Sequence, residues 1–351
     1  MTCNPYWPKI KAKLHEIEEA QNRPNLIARV FRAKIMELKN ELVKKQLFGP
    51  ITAYTYVIEY QKYGLPHVHF LLVLKSHAKI IHLEEYDTYI SAEVPNKDDN
   101  PHLYKVVVKH MMRGPCGALK PTNPCMTKKG ECKNKYPQEF SEVTMCSENS
   151  YPIYRRRNDG KCVNVQGSLL DNKWVVPYNP YLLIKFNCHI NVEICSTIKA
   201  EKYFYKYVYR GHDRVSFHFI ANDNGSIIDE ISAYQSARWI SPPEAAWHIY
   251  KFTFNNISST VLALHLHLSN MQLVNFKEKD NLPSVLQFGR ASRTMLTEYF
   301  ATNKANTSTR QWLYSEFPEH YVWNVQDRYW KPRQRSGTIG RIVLANPSEG
   351  K

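Results

Sequence analysis

Apolar positions along this chain fall first into a helical rhythm and then into a strand rhythm. Over residues 9–47, Leu14, Ile17, Leu26, Val30, Ile35, Leu38 and Leu42 recur at roughly helical spacing among charged residues. Pro24 divides that run into two predicted helices, and Gly49-Pro50 ends it. Residues 51–60 are rich in Tyr, Thr, Ile and Val and predict a strand. Lys62-Tyr63-Gly64 supplies a turn and residues 67–74 a returning strand, so 51–74 is predicted to be a hairpin. Residues 91–101 read as a loop and 102–112 as a short helix.

From 113 to 180 the periodicity fades and Pro, Cys and Lys accumulate. A metal or a bound partner, more than core burial, orders a segment of that kind. Residues 181–194 predict a strand pair or one long strand. Residues 196–210 predict a helix, capped by Ser196 or Thr197 and ended by Gly211. A strand over 215–221 follows, then helices over 229–240 and 242–250, the second opening on Pro242-Pro243. Strands are expected near 251–254 and 261–268, and helices over 291–303 and 308–315. No repeat period is evident.

Charge narrows the field. The 351 residues carry a formal net charge of +15, which favours a polyanionic partner, most simply nucleic acid. The 23 tyrosines supply surfaces on which unpaired bases stack. No stretch is long and apolar enough to predict a membrane span, and no secretory signal is visible. Five of the eight cysteines (Cys116, Cys125, Cys132, Cys146 and Cys162) crowd the middle of the chain, a pattern that favours metal binding over disulfides.

Three groups of residues carry chemistry. In Gly64-Leu65-Pro66-His67-Val68-His69-Phe70, strand alternation sends His67 and His69 to one face, half of a metal site. Glu59 and Gln61, on the partner strand, share a face and offer a further ligand. A carboxylate suits Mg²⁺ or Mn²⁺ better than an amide does, which ranks Glu59 ahead of Gln61. In Lys202-Tyr203-Phe204-Tyr205-Lys206-Tyr207-Val208-Tyr209-Arg210, Tyr203 and Tyr207 stack on one helical face with Lys206 beside them. A phenol there can attack phosphorus, and Lys206 can offset developing negative charge. Cys116, Cys125 and Cys132, with His110 as a fourth donor, form a candidate Cys₃His zinc set, although no tight C-x-x-C knuckle occurs. Tyr154-Arg155-Arg156-Arg157 is the densest basic-aromatic run and a candidate DNA contact, as are Lys202 and Arg210. Lys331-Pro332-Arg333-Gln334-Arg335 is the second such run, whereas His102, His212 and His218 read as surface or core residues.

The order of His-x-His followed by a Tyr-x-x-Lys-Tyr helix resembles the HUH endonucleases. More specifically, the chain resembles the rolling-circle initiator region of Helitron transposases. The matching blocks are Thr2-Cys3-Asn4-Pro5-Tyr6-Trp7-Pro8, Glu59 to His69, Gly114-Pro115-Cys116-Gly117, Pro124-Cys125-Met126, Lys199 to Asp213 and Ile339-Gly340-Arg341-Ile342. The resemblance implies metal-dependent nicking and joining of single-stranded DNA at transposon ends, through a 5′-phosphotyrosine link and with release of a 3′-OH. It places Tyr203 and Tyr207 on the family's two tyrosines. The family often has His just before Gly-Pro-Cys, where this chain has Arg113. It also continues into a helicase, but no G-x-x-x-x-G-K-[ST] loop occurs here, so ATP hydrolysis is not expected; a gene fragment, a decayed element copy and a product working with a helicase from another polypeptide all fit that departure.

The expected fold class is α+β: an antiparallel sheet flanked by helices, HUH/Rep-like, with a Cys-rich insert and a mixed α/β C-terminal region. The expected divisions are 1–112 and 181–221 for the two parts of the endonuclease domain, 113–180 for the insert and 222–351 for the C-terminal region. The presumed substrate implies a nuclear protein. Two rival readings are a catalytically inactive, transposon-derived DNA-binding remnant and a zinc-stabilised nucleic-acid adaptor.

Overall fold

Proline starts most of the helices. In α1 (Pro8–Lys11), α2 (Pro24–Lys39), α4 (Pro101–His110), α5 (Pro180–Phe186) and α6 (Pro242–Ile249) it occupies the first turn, where its missing N–H costs nothing. The exception in this part of the chain is α3 (Leu83–Tyr89), which has acidic residues in its first turn. The computed structural model describes residues 1–60, 64–146, 152–195, 240–268, 293–334 and 338–343. They divide into two compact units. The first comprises Met1–Pro50, Tyr56–Leu71 and Lys75–Asn256; the second comprises Ile51–Thr55, Leu72–Leu74 and Ile257–Lys351.

In the first unit α2 is the central helix. Ile27, Phe31 and Ile35 recur every four residues and are buried with Ala28 and Leu38. Phe31 lies between Trp7 and Trp247, with ring centroids 6.5 and 6.4 Å away. The Trp7 indole N–H donates to the Phe186 carbonyl at 2.6 Å, which ties the start of the chain to the end of α5. Beyond α2 the helix widens into a π-turn over Asn40–Lys44. This turn carries the buried Glu41, whose carboxylate accepts from Tyr181 Oη and Lys185 Nζ, each at 2.7 Å.

The predicted hairpin is present as β1 (Ile51–Tyr60) and β2 (Pro66–Leu74). The insert contributes only short antiparallel pairs: β3 (Met145–Cys146) with β4 (Pro152–Ile153), and β5 (Val163–Val165) with β6 (Ser168–Leu170). A short strand, β7 (Asn255–Ile257), completes a three-stranded sheet in the order β2-β1-β7. The fold is thus mixed α and β with small sheets.

One element differs in kind from its prediction. Residues 181–194 are not a strand or strand pair: 180–186 form α5. Asn179 accepts the Leu182 N–H as an N-cap, Leu182, Leu183 and Phe186 are buried on one side, and Asn187 ends the helix at φ 44°. A short, unbroken apolar run fits either state, and here the cap decides it. The helix expected over 229–240 lies outside the described residues except for its last position.

The second unit pairs β8 (Thr260–His265) with β11 (Thr338–Val343) in parallel, and β9 (Tyr321–Asn324) with β10 (Tyr329–Pro332) in antiparallel. Helices α7 (Met295–Ala305) and α8 (Phe317–His320) accompany them, around a core of Leu264, Tyr314, Phe317 and Trp330. The segment predicted as a helix over 308–315 holds a 3₁₀ turn at Thr307–Gln311. At Gly340 a side chain would collide with the Ser315 carbonyl and the Leu264 side chain, so this strand position needs glycine for close approach.

Hydrogen bonds from Lys185, Lys45 and Tyr181 hold the Glu41 carboxyl down to about 2. A depressed carboxylate contributes stability above its unfolded value and loses it as pH falls towards the folded one. Glu41→Gln is therefore expected to destabilise the protein at pH 7 by about 1–3 kcal/mol, and the difference should shrink between roughly pH 4.5 and pH 2. Urea melts of both proteins across that range check this.

Candidate metal centres and the strand beside them

Pro66-His67-Val68-His69 is extended, and Val68 is buried while the two histidines are only partly so. The imidazoles lie side by side, with ring centroids 4.5 Å apart. Glu59, on the neighbouring strand, places Oε1 3.1 Å from His69 Nε2. Gln61 lies outside the described residues, so Glu59 alone can be placed. Burial, before all else, drives the His67 pKa well below its ordinary value. A neutral imidazole is the form that binds a metal.

The first residues of the chain hold this face in place. Thr2 forms an antiparallel bridge with His67. The Cys3 N–H donates to the Pro66 carbonyl and the Val68 N–H to the Met1 carbonyl, both at 2.9 Å. On the other side the Thr2 N–H donates to the His189 carbonyl, also at 2.9 Å. Thr2 Oγ1 then meets His67 Nδ1 at 2.7 Å. Sequence periodicity gave no sign of Thr2 or His189. Their signal is register across strands, and residues 2, 67 and 189 are far apart in the chain.

The three central cysteines come together as predicted from their crowding. Their sulfur atoms all lie within 4.8 Å of one another. Cys125 and Cys132 sit at the base of a small turn, where Met126 bridges Cys132 and the Lys133 N–H donates to the Cys125 carbonyl. Cys116 enters from a preceding turn through Gly117 at φ 65°. Leu170 and Trp174 pack against the thiols. Burial pushes the Cys116 thiol up to about 12, helped by its two sulfur neighbours. Burial also raises Cys132, but the backbone N–H groups of Tyr136 and Asn134, with the other two thiols, outweigh it and bring the value below that of an ordinary thiol. The three sulfurs can hold a metal ion such as zinc. His110 does not join them: its Nε2 lies 2.9 Å from Asn187 Oδ1, and the cluster contains no histidine among the described residues. None of the eight cysteines forms a disulfide.

The arginine run is taken up by the fold. Arg156 is buried, and its Nη1 donates to the carbonyls of Ala92, Asn172 and Val175 at 3.2, 2.8 and 2.6 Å. Arg157 forks onto Glu93 at 2.9 and 2.7 Å, and Arg155 lies 3.2 Å from Asp87. Tyr154 is buried and its hydroxyl accepts the Ile194 N–H. In the second basic run Arg333 donates to the Pro318 and Tyr321 carbonyls. The triplet expected to contact DNA therefore faces carbonyls and carboxylates of this chain. Tyr203, Lys206 and Tyr207, with Lys202 and Arg210, lie outside the described residues.

Thr2, Glu59, His67 and His69 all fall within residues 1–72, which match the family model of the Helitron helicase-like domain at N-terminus. This stretch is thus similar to a Helitron helicase-like N-terminal region. The match links the chain to transposon-related function. No curated protein matches the chain. Among the described residues no helix is long and apolar enough to cross a membrane.

Two outcomes are expected of this part of the chain. Arg156→Ala strands three buried carbonyls and should cost about 2–4 kcal/mol in chemical denaturation. Protein purified with zinc should retain one zinc per chain, and Co²⁺ replacing it should show thiolate-to-metal charge-transfer absorption that Cys132→Ser diminishes.

Proposed function

We propose that this chain is an HUH-type endonuclease that nicks and joins single-stranded DNA in rolling-circle transposition. The observation that carries this reading is the His67–His69 pair with Glu59 beside it, inside the Helitron-like region. Two imidazoles and a carboxylate form a mixed nitrogen and oxygen donor set. Such a set fits Mn²⁺, and fits Mg²⁺ less well because Mg²⁺ prefers oxygen alone. A divalent ion bound there would polarise the scissile phosphodiester.

The chain's own residues supply the rest. Tyr203 or Tyr207 attacks phosphorus through its phenol oxygen and loses its proton. The new O–P bond links the 5′ end of one strand to the protein, while the P–O3′ bond breaks and the 3′ oxygen leaves as a hydroxyl after taking up a proton. Lys206, on the same predicted helix, offsets charge on the phosphate. Attack by a free 3′-OH reverses the step and joins strands. In the cell the protein would work in the nucleus, on DNA exposed as a single strand.

The thiol cluster favours a second reading, a zinc-stabilised adaptor that binds nucleic acid without cutting it. One assay separates the two. Labelled single-stranded DNA containing a transposon end is incubated with the full chain and Mn²⁺. A covalent protein–DNA product is expected, with at least a hundredfold loss in both Tyr203→Phe/Tyr207→Phe and His67→Ala, on the scale of losing a nucleophile or a metal ligand. Binding with no covalent product would support the adaptor.

A further inference from the structure

We infer that Thr2 is a positioning residue for the metal-binding form of His67. The inference rests on the reading of His67 as a metal ligand, and it assigns a role to a residue outside the expected ligand set. Its basis is the 2.7 Å contact between Thr2 Oγ1 and His67 Nδ1. Side-chain contacts on loops are easily remade, but this one stands on a fixed backbone. Thr2 lies between Met1 and Cys3, both buried, and main-chain hydrogen bonds tie these three residues to Val68, His189 and Pro66. Threonine is branched at Cβ, which restricts its side-chain rotation and so holds the hydroxyl where the backbone sets it.

The chemistry follows from the two nitrogens of an imidazole. A histidine that binds a metal through one ring nitrogen usually donates the N–H of the other to an oxygen, which fixes both tautomer and ring plane. A hydroxyl can donate or accept at Nδ1; with Nε2 as the metal-binding atom of His67, Nδ1 carries the proton and the Thr2 oxygen accepts it, which holds that tautomer in place. His69 Nε2 faces the Glu59 carboxylate, the third proposed ligand, so Thr2 acts on His67 from outside the donor set.

The test uses the full chain. In wild-type protein with ¹⁵N-labelled histidine and no metal, His67 is expected to carry its proton on Nδ1; a proton on Nε2 would overturn the inference without any variant being made. Mn²⁺ titrations followed by electron paramagnetic resonance then compare Thr2→Val, Thr2→Ser and His67→Ala. Thr2→Val keeps the shape and removes the hydroxyl, and should weaken Mn²⁺ binding by about 10–100-fold. Thr2→Ser keeps the hydroxyl and should bind close to wild type. Wild-type affinity in a folded Thr2→Val, with His67→Ala impaired, would overturn the role of Thr2 and leave the metal site standing. Unchanged affinity in His67→Ala would instead sink the metal reading, and the role of Thr2 with it.

Discussion

The structure around the His67 site depends on a three-residue segment that carries one isolated β-bridge. Met1, Thr2 and Cys3 lie between the His67 strand and the segment after α5, and bond to the backbone on both sides. Residues 67 and 189 are more than a hundred positions apart, and no local preference would bring them near one another. The short segment joins them through backbone hydrogen bonds to both sides. Trp7 and Asn4 extend the same seam, bonding to the carbonyls of Phe186 and Asn187.

That seam also bears on the insert. His110 ends α4 with its ring against Asn187 and its carbonyl against the His189 ring. Four residues later the chain turns towards Cys116. Leu170 and Trp174 of the insert pack against the thiols, and Tyr154, Val163, Val175, Val176 and Tyr178 are buried elsewhere in it. An ion held by the thiols would add to that packing.

Much of this was legible in the sequence, for identifiable reasons. The 51–74 hairpin follows from a strong β-rich run and a glycine turn, and strand alternation alone puts His67 beside His69. Crowding of cysteines marked the three thiols that come together, but not the fate of His110: it stood at a plausible spacing, yet its ring serves Asn187. The 181–194 segment was misread because a run such as Tyr-Leu-Leu-Ile-Lys-Phe has no period that separates helix from strand. Asn179-Pro180 was the overlooked signal, a cap followed by a first-turn proline. Thr2 could not have been found from spacing, since its importance is a matter of backbone pairing between segments distant in the chain.

The buried guanidinium of Arg156 changes how the charge of this protein is to be counted. A formal +15 treats every cation as available to a polyanion. Yet Arg155 and Arg157 are neutralised by acids of the same chain, Lys185 is paired with Glu41, and Arg156 is enclosed by carbonyls. The long-range field felt by an approaching DNA strand comes from the lysines and arginines left outside such pairs. Clusters of basic letters are therefore a poor map of where that field is strongest.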